Sequence, residues 1–174
     1  TIALLDTLEM SGAYCIGLSM GSYIAQEIAL RRPDLVRKLI LVSGDCGGKE
    51  SERMSSDILE KLADKSGTPE NLAERMFSIL FPQSWLKAHN PWDYCPEVYE
   101  TIPEETVTSQ MNAIDSWEGT CRQLPGLLVP TLVLSGTDDV VIPAKNSFIL
   151  AGLIPGAWLV QCQGGGHGLM YQFP

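Results

Sequence analysis

Basic residues are scarce in this chain: 12 lysines and arginines stand against 21 aspartates and glutamates, giving a formal net charge of −9 at pH 7. Binding to nucleic-acid phosphates requires a basic surface, so this balance excludes nucleic acid as a partner. The sequence also lacks an uninterrupted apolar run of about 18 residues, and no secretory signal peptide is visible. We therefore expect a globular protein without a membrane span.

Cysteine occurs five times, an odd number, and no pair has C-x-x-C spacing. This pattern argues against a disulfide framework and against a zinc site, and it favours reduced thiols in the cytoplasm. Histidine occurs only twice, as His89 and His167, so there are few candidates for a general base. Hydrophobic residues make up 45% of the chain, which fits one globular core.

The pentapeptide Gly17-Leu18-Ser19-Met20-Gly21 follows the short apolar run 13–16. Its G-x-S-x-G pattern is typical of a nucleophile elbow, where a serine occupies a strained turn between a strand and a helix. Flanking glycines are expected because side chains there would collide with neighbouring backbone. A glycine-serine turn can also be merely structural, so the rest of the chain must supply a base and an acid.

The segment after the pentapeptide has helical periodicity. Met20, Ile24 and Ile28 recur at spacing four beside Ala25 and Ala29, and Pro33 follows. The pattern predicts an amphipathic helix that ends before the proline. The strand-turn-helix context that the elbow requires is therefore predicted.

His167 is the better candidate for the base. It lies in Gln163–Gly168, a glycine-rich loop directly after the strand-like segment 157–160, and the glycines free this loop to aim the ring. His89 lies among turn residues with no strand before it, where a solvated or structural histidine is commoner. We keep His89 as the alternative base.

An acidic pair, Asp138 and Asp139, follows the strand-like run 130–136. Catalytic groups of open α/β sheets gather beyond the carboxyl ends of strands, so either aspartate is a candidate for the acid. An Asx turn or a helix cap before Pro143 is the structural alternative.

Ser19, Asp139 and His167 follow one another in the order nucleophile, acid, base, and in this the chain resembles the α/β-hydrolase fold family. The resemblance covers nearly the whole chain, since segments 32–42, 130–143 and 154–168 are similar to the family's helix exit and next strand, its acid-bearing turn, and its last strand and histidine loop. It implies an α/β fold in which a mostly parallel sheet is flanked by helices.

Within the family pattern the acid is the third residue after the turn glycine, here Gly136, which favours Asp139 over Asp138. Some relatives place the acid after the preceding strand instead, so Asp45 is a second alternative. Leu18 replaces a frequent histidine and Ser22 a frequent glycine; both departures blur the subfamily assignment.

The resemblance implies a serine hydrolase that cleaves a carboxylic ester or a related small acyl substrate, with neither a metal nor an organic cofactor. Ser19 would attack the carbonyl, His167 would remove its proton, Asp139 would orient the ring, and the backbone N–H of Met20 would be one oxyanion donor. Thioesterases, carbon–carbon bond hydrolases and cofactor-free haloperoxidases share the fold. A non-catalytic binding subunit that retains the three residues is the alternative from another class.

The first residues, Thr1–Leu8, resemble the helix that leads into the family's elbow strand. We therefore expect the sheet to be incomplete at the N-terminus and the loop with the second oxyanion donor to be absent. The elbow strand would then have an unpaired apolar edge, open to self-association or to a partner chain.

Residues 49–124 interrupt the strand pattern and look helical, which predicts a cap inserted into a core of residues 1–48 and 125–174. Trp85, Trp92 and Trp117 lie in this insertion. They would either line an apolar acyl pocket or only fasten the cap to the core, because aromatic side chains dominate both kinds of packing.

Overall fold

A computed structural model describes residues 1–96 and 102–174. Four parallel strands form one sheet in the order β1-β2-β3-β4, which is also their order along the chain. They are β1 (Ala13–Leu18), β2 (Val36–Val42), β3 (Thr131–Gly136) and β4 (Trp158–Cys162). Parallel neighbours require crossover connections, and helices supply them here. The predicted α/β class with a parallel sheet flanked by helices is confirmed.

The described helices divide into those around the sheet and those of the insertion. Around the sheet lie α1 (Ile2–Thr7), α2 (Met20–Arg31), α7 (Lys145–Leu153) and α8 (Leu169–Gln172). The insertion contains α3 (Ser56–Ala63), α4 (Pro69–Leu80), α5 (Gln83–Leu86) and α6 (Glu104–Asp115). Within the described parts of the chain, no helix is long and apolar enough to cross a membrane.

Small side chains let α2 pack closely on the sheet. Ala25, Ile28 and Ala29 are buried in one cluster with Leu39 and Leu41 of β2. Ile24, which shares the spacing of four with Met20 and Ile28 in the sequence, is 45% exposed. The face turned toward the sheet carries the alanines, whose small side chains allow a shorter distance between helix and strands.

Helix α4 of the insertion begins with a capping motif. Thr68 caps α4 through reciprocal hydrogen bonds with Asn71, and Pro69 takes the first helical position, where a missing N–H costs nothing. Residues 97–101 of the insertion lie outside the described residues. The division into a core and a cap at 49–124 stays a prediction.

A disulfide joins Cys46 to Cys121, with 5.1 Å between the two Cα atoms. The prediction of reduced thiols was therefore wrong for this pair. Cys46 lies just before the insertion and Cys121 near its end, and the N–H of Thr120 also donates to the carbonyl of Cys46 at 2.7 Å. The two cysteines are 75 residues apart, so no local spacing pattern could have paired them.

Replacing Cys46 and Cys121 together with alanine is expected to lower the free energy of unfolding by about 4 kcal/mol. The reason is that a cross-link closing a loop of 75 residues removes conformational freedom from the unfolded chain. Urea denaturation monitored by circular dichroism measures the change. Cys95→Ala, at a free and partly buried cysteine, is the matched control. Equal losses in the control and the double variant would contradict a covalent bond at this position.

Candidate active site

Ser19 occupies the sharp turn between β1 and α2. Its backbone has φ 52° and ψ −123°, a conformation that side chains rarely adopt, and its N–H donates to the carbonyl of Val42 at 3.0 Å. Strain of this kind costs about 1–3 kcal/mol and is kept where the surrounding structure enforces it. The turn directs the hydroxyl toward His167, as described below.

The two glycines of the pentapeptide have different environments. A Cβ atom on Gly17 would lie 2.4 Å from the carbonyl oxygen of Gly21, so only glycine fits there. A Cβ on Gly21 would meet no described atom within 4 Å. The expected collision of side chains with neighbouring backbone therefore holds for Gly17 and was wrong for Gly21.

His167, Ser19 and Asp139 form a continuous chain of hydrogen-bonding groups. The Nε2 atom of His167 lies 3.0 Å from the Ser19 hydroxyl, and its Nδ1 atom lies 2.9 Å from Oδ2 of Asp139. The Asp139 side chain is fully buried and that of His167 is 10% exposed. An imidazole held between a carboxylate and a hydroxyl can accept the proton of that hydroxyl as it attacks.

Asp139 also forms the Asx turn that the sequence offered as the structural alternative. Its Oδ1 atom accepts hydrogen bonds from the N–H groups of Val141 and Ile142 at 3.0 and 2.8 Å. Oδ1 thus accepts from the backbone and lies 3.2 Å from Nδ1 of His167, while Oδ2 makes the shorter contact with that nitrogen at 2.9 Å. The turn and the contact with the base coexist in one side chain.

The alternative acids lie in other surroundings. Asp45 accepts hydrogen bonds from the Tyr23 hydroxyl at 2.9 Å and from the N–H of Gly47. Burial, followed by the charge of Asp45, raises the pKa of Tyr23, so this hydroxyl stays protonated and donates. Asp138 is exposed and accepts from its neighbour Thr137.

The alternative base, His89, belongs to an aromatic cluster of the insertion. Its ring stacks on Trp85 with centroids 4.6 Å apart, and its Nδ1 atom lies 3.0 Å from the Trp85 carbonyl oxygen. The structure therefore brings His167, and not His89, to Ser19. Trp85 in turn stacks on Phe81, and Trp92 packs edge-on against Phe77.

The loop that carries His167 packs tightly against its neighbours. A Cβ atom on Gly136 would lie 2.0 Å from the carbonyl oxygen of Gly165, and that oxygen accepts from the N–H of Asp138 at 2.8 Å. On the other side, the N–H of Gly168 donates to the carbonyl of Leu80 in the insertion at 2.8 Å. The glycines therefore permit close approach, and hydrogen bonds to neighbouring segments hold the loop that they make flexible.

Met20 is the first residue of α2, so its N–H has no partner within the helix. The start of a helix carries a partial positive charge that favours a developing anion. Its use as an oxyanion donor stays a prediction.

Met20 also borders an apolar cavity of about 700 Å³ between α1, α2 and α6. Ile24, Ile114 and Trp117 contribute to its wall. Trp117 stacks on Tyr23 at 4.5 Å and donates to Glu27 at 2.8 Å. This tryptophan therefore fastens the insertion to α2 and lines a cavity at the same time.

Acidic, histidine and cysteine side chains do not gather into a group of three that could hold a metal ion, within residues 1–96 and 102–174. The groups brought together around Ser19 are a hydroxyl, an imidazole and a carboxylate. This set supports nucleophilic attack by the hydroxyl and proton transfer through the ring.

A family model described as the alpha/beta hydrolase fold matches residues 2–174. A curated protein of Pseudomonas syringae pv. syringae, named "Putative carbamate hydrolase RutD", is 27% identical over 95% of this chain and 64% of its own length. A protein of the same name from Klebsiella pneumoniae subsp. pneumoniae is 28% identical over 87% of this chain and 58% of its own length. The chain thus spans less than two thirds of these relatives.

Among solved structures, a hydrolase from Pseudomonas aeruginosa PA01 superposes with a TM-score of 0.77 at 24% identity. The match covers 99% of this chain and 64% of that one. At this identity the likeness concerns the fold.

Proposed function

Because the chain belongs to the alpha/beta hydrolase fold family, we propose that it is a serine hydrolase that cleaves a small ester or carbamate through an acyl-enzyme. One observation carries the proposal: the unbroken contact from Ser19 through His167 to Asp139. Three side chains from distant parts of the chain meet in the geometry that makes a hydroxyl nucleophilic.

In the first half of the reaction, the Ser19 oxygen attacks the carbonyl carbon while Nε2 of His167 takes the hydroxyl proton. Asp139 accepts from Nδ1–H, which selects the tautomer whose Nε2 is free to take that proton and stabilises the ring once it is charged. The ring then gives the proton to the departing alcohol or amine, and an acyl-enzyme on Ser19 remains.

In the second half, water attacks the carbonyl carbon of the acyl-enzyme while His167 takes a proton from the water. The bond from this carbon to the Ser19 oxygen then breaks, His167 returns the proton to that oxygen, and the acid leaves. Negative charge develops twice on the carbonyl oxygen. The N–H of Met20 is the donor we assign to it, since it lies next to the nucleophile at the start of α2. No step requires a metal or an organic cofactor.

The substrate class rests on two observations. Esters and carbamates present the same electrophilic carbonyl to a serine, and the curated relatives are named as carbamate hydrolases. The apolar cavity beside Met20 has the size of a site for a small organic group. We propose that it receives the acyl or alkyl part of an uncharged substrate.

A cytoplasmic location stays a prediction from composition. The bond between Cys46 and Cys121 weighs against it, because disulfides persist mainly in oxidising compartments.

Labelling with a fluorophosphonate tests the proposed function. The oxygen of an activated serine displaces fluoride from the probe and becomes phosphonylated, so mass spectrometry should find the label on the peptide that contains Ser19. The heat-denatured protein is the control and should not react. A folded protein that never labels would favour the alternative of a non-catalytic binding subunit.

Filling the cavity should change the preference for chain length. Ala113 lines it from α6, and Ala113→Trp is expected to lower kcat/KM for p-nitrophenyl octanoate at least about 10-fold more than for the acetate ester. Ala63→Trp, on the exposed end of α3, is the matched control and should change both esters alike. Equal effects of Ala113→Trp on the two esters would contradict the assigned pocket.

A further inference from the structure

A buried amide side chain holds the loop that carries His167. Gln172, the last residue of α8, accepts from the N–H of Gly166 at 2.7 Å and donates through Nε2 to the carbonyl of Gly164 at 3.1 Å. Its side chain is buried. One planar group therefore fixes the backbone on both sides of Gly165.

The loop has little stiffness of its own. Three consecutive glycines give the backbone its greatest freedom, and Gly164 has φ +72°. The N–H of Gly164 donates to the Thr137 hydroxyl at 2.8 Å, and the carbonyl of Gly165 accepts from the acid-bearing turn. These bonds hold the first half of the loop. Gly166, directly before the histidine, is held by Gln172 instead.

We propose that Gln172 is a positioning residue that sets the orientation of the His167 ring between Ser19 and Asp139; the inference rests on the function proposed above. Without the amide, the Gly166 N–H would lose its partner in buried surroundings and the Gly164 carbonyl would lose its partner in partly buried ones. Unpaired buried polar groups are costly, so the loop would shift to pair them elsewhere. A shift of the loop moves the ring, because His167 follows Gly166 directly.

The variant Gln172→Met tests this role. Methionine is unbranched and of similar length, so it fills the space without hydrogen bonds. We expect kcat for p-nitrophenyl acetate to fall about 10- to 100-fold with KM unchanged, since misplacing a catalytic group impairs the chemical step and leaves binding intact. The downfield proton NMR signal of the bond between His167 Nδ1 and Asp139 should broaden or disappear. Gln172→Glu keeps the acceptor for Gly166 and lacks the donor for Gly164, so its kcat should be intermediate.

Asn146 offers a matched control. It is also buried, and its amide likewise bonds to a backbone N–H and a backbone carbonyl, both of Glu52, at 2.8 and 2.9 Å. Asn146→Leu therefore removes the same two kinds of bond from another part of the molecule. It should lower the unfolding temperature as Gln172→Met does, while kcat and the His167 signal stay as in the wild type.

Equal losses of kcat in Gln172→Met and Asn146→Leu, or an unchanged His167 signal in Gln172→Met, would overturn the role. If Gln172→Met does not fold, hydrogen exchange in the wild type decides: slow exchange of the Gly166 N–H supports the bond to Gln172, and rapid exchange overturns it. A wild type that shows the His167 signal yet hydrolyses no ester contradicts the proposed function alone. The effect of Gln172→Met on that signal still tests the inference.

Discussion

Replacing Ser19 with alanine is expected to lower kcat for p-nitrophenyl acetate by about a million-fold, down to what binding and the oxyanion donors alone can supply. The hydroxyl lies 3.0 Å from Nε2 of His167, and no acyl-enzyme can form without it. The variant should also lose all fluorophosphonate labelling. The variant should fold, because alanine adopts the strained backbone conformation of this turn as readily as serine does.

Ser22→Ala is the matched control for Ser19→Ala. Ser22 lies in the first turn of α2, three residues after Ser19. It is fully buried, and its hydroxyl has no hydrogen-bond partner among the described residues. Removing an unpaired buried hydroxyl costs no hydrogen bond, so turnover, labelling and unfolding temperature should stay close to the wild type. If Ser19→Ala kept the labelling or the turnover, another residue would have to be the nucleophile.

Local patterns predicted the elements that carry the candidate site. An apolar run, the G-x-S-x-G pattern and a helical periodicity follow one another in the sequence. They predicted β1, the turn at Ser19 and α2. The rule that ligands gather beyond the carboxyl ends of parallel strands pointed to a candidate acid after β3. A glycine-rich loop after a strand-like segment pointed to the candidate base after β4. These inferences need only short segments of chain, because strand direction and helix period are local properties.

Local patterns could not predict which distant segments contact each other. The pairing of Cys46 with Cys121 depends on how the insertion leaves and re-enters the core. The bonds from Gln172 to the histidine loop depend on the chain turning back within eight residues, from Gly164 to Gln172. A polar residue in the otherwise apolar helix α8 was the available signal, since a buried glutamine must find partners for both ends of its amide.

The choice among the three aspartates likewise needed both a local pattern and contacts between distant segments. Spacing from Gly136 favoured Asp139, yet Asp138 and Asp45 carry the same carboxylate and also follow strands. Their surroundings separate them. The oxygens of Asp45 accept from Tyr23, Gly47 and Ser51, so this carboxylate belongs to the loop after β2.

Asp139→Asn is expected to lower kcat for p-nitrophenyl acetate by about 10,000-fold, while Asp138→Asn and Asp45→Asn stay near the wild type. Two backbone N–H groups donate to Oδ1 of Asp139, so an asparagine would keep its carbonyl oxygen there and turn its NH2 toward His167. That NH2 donates to Nδ1, which forces the ring proton onto Nε2. In this tautomer the neutral ring already carries its proton on Nε2, so Nε2 cannot take the Ser19 proton. Because size and backbone bonds are unchanged, circular dichroism should show a folded protein, and a larger loss in Asp138→Asn or Asp45→Asn would reassign the acid.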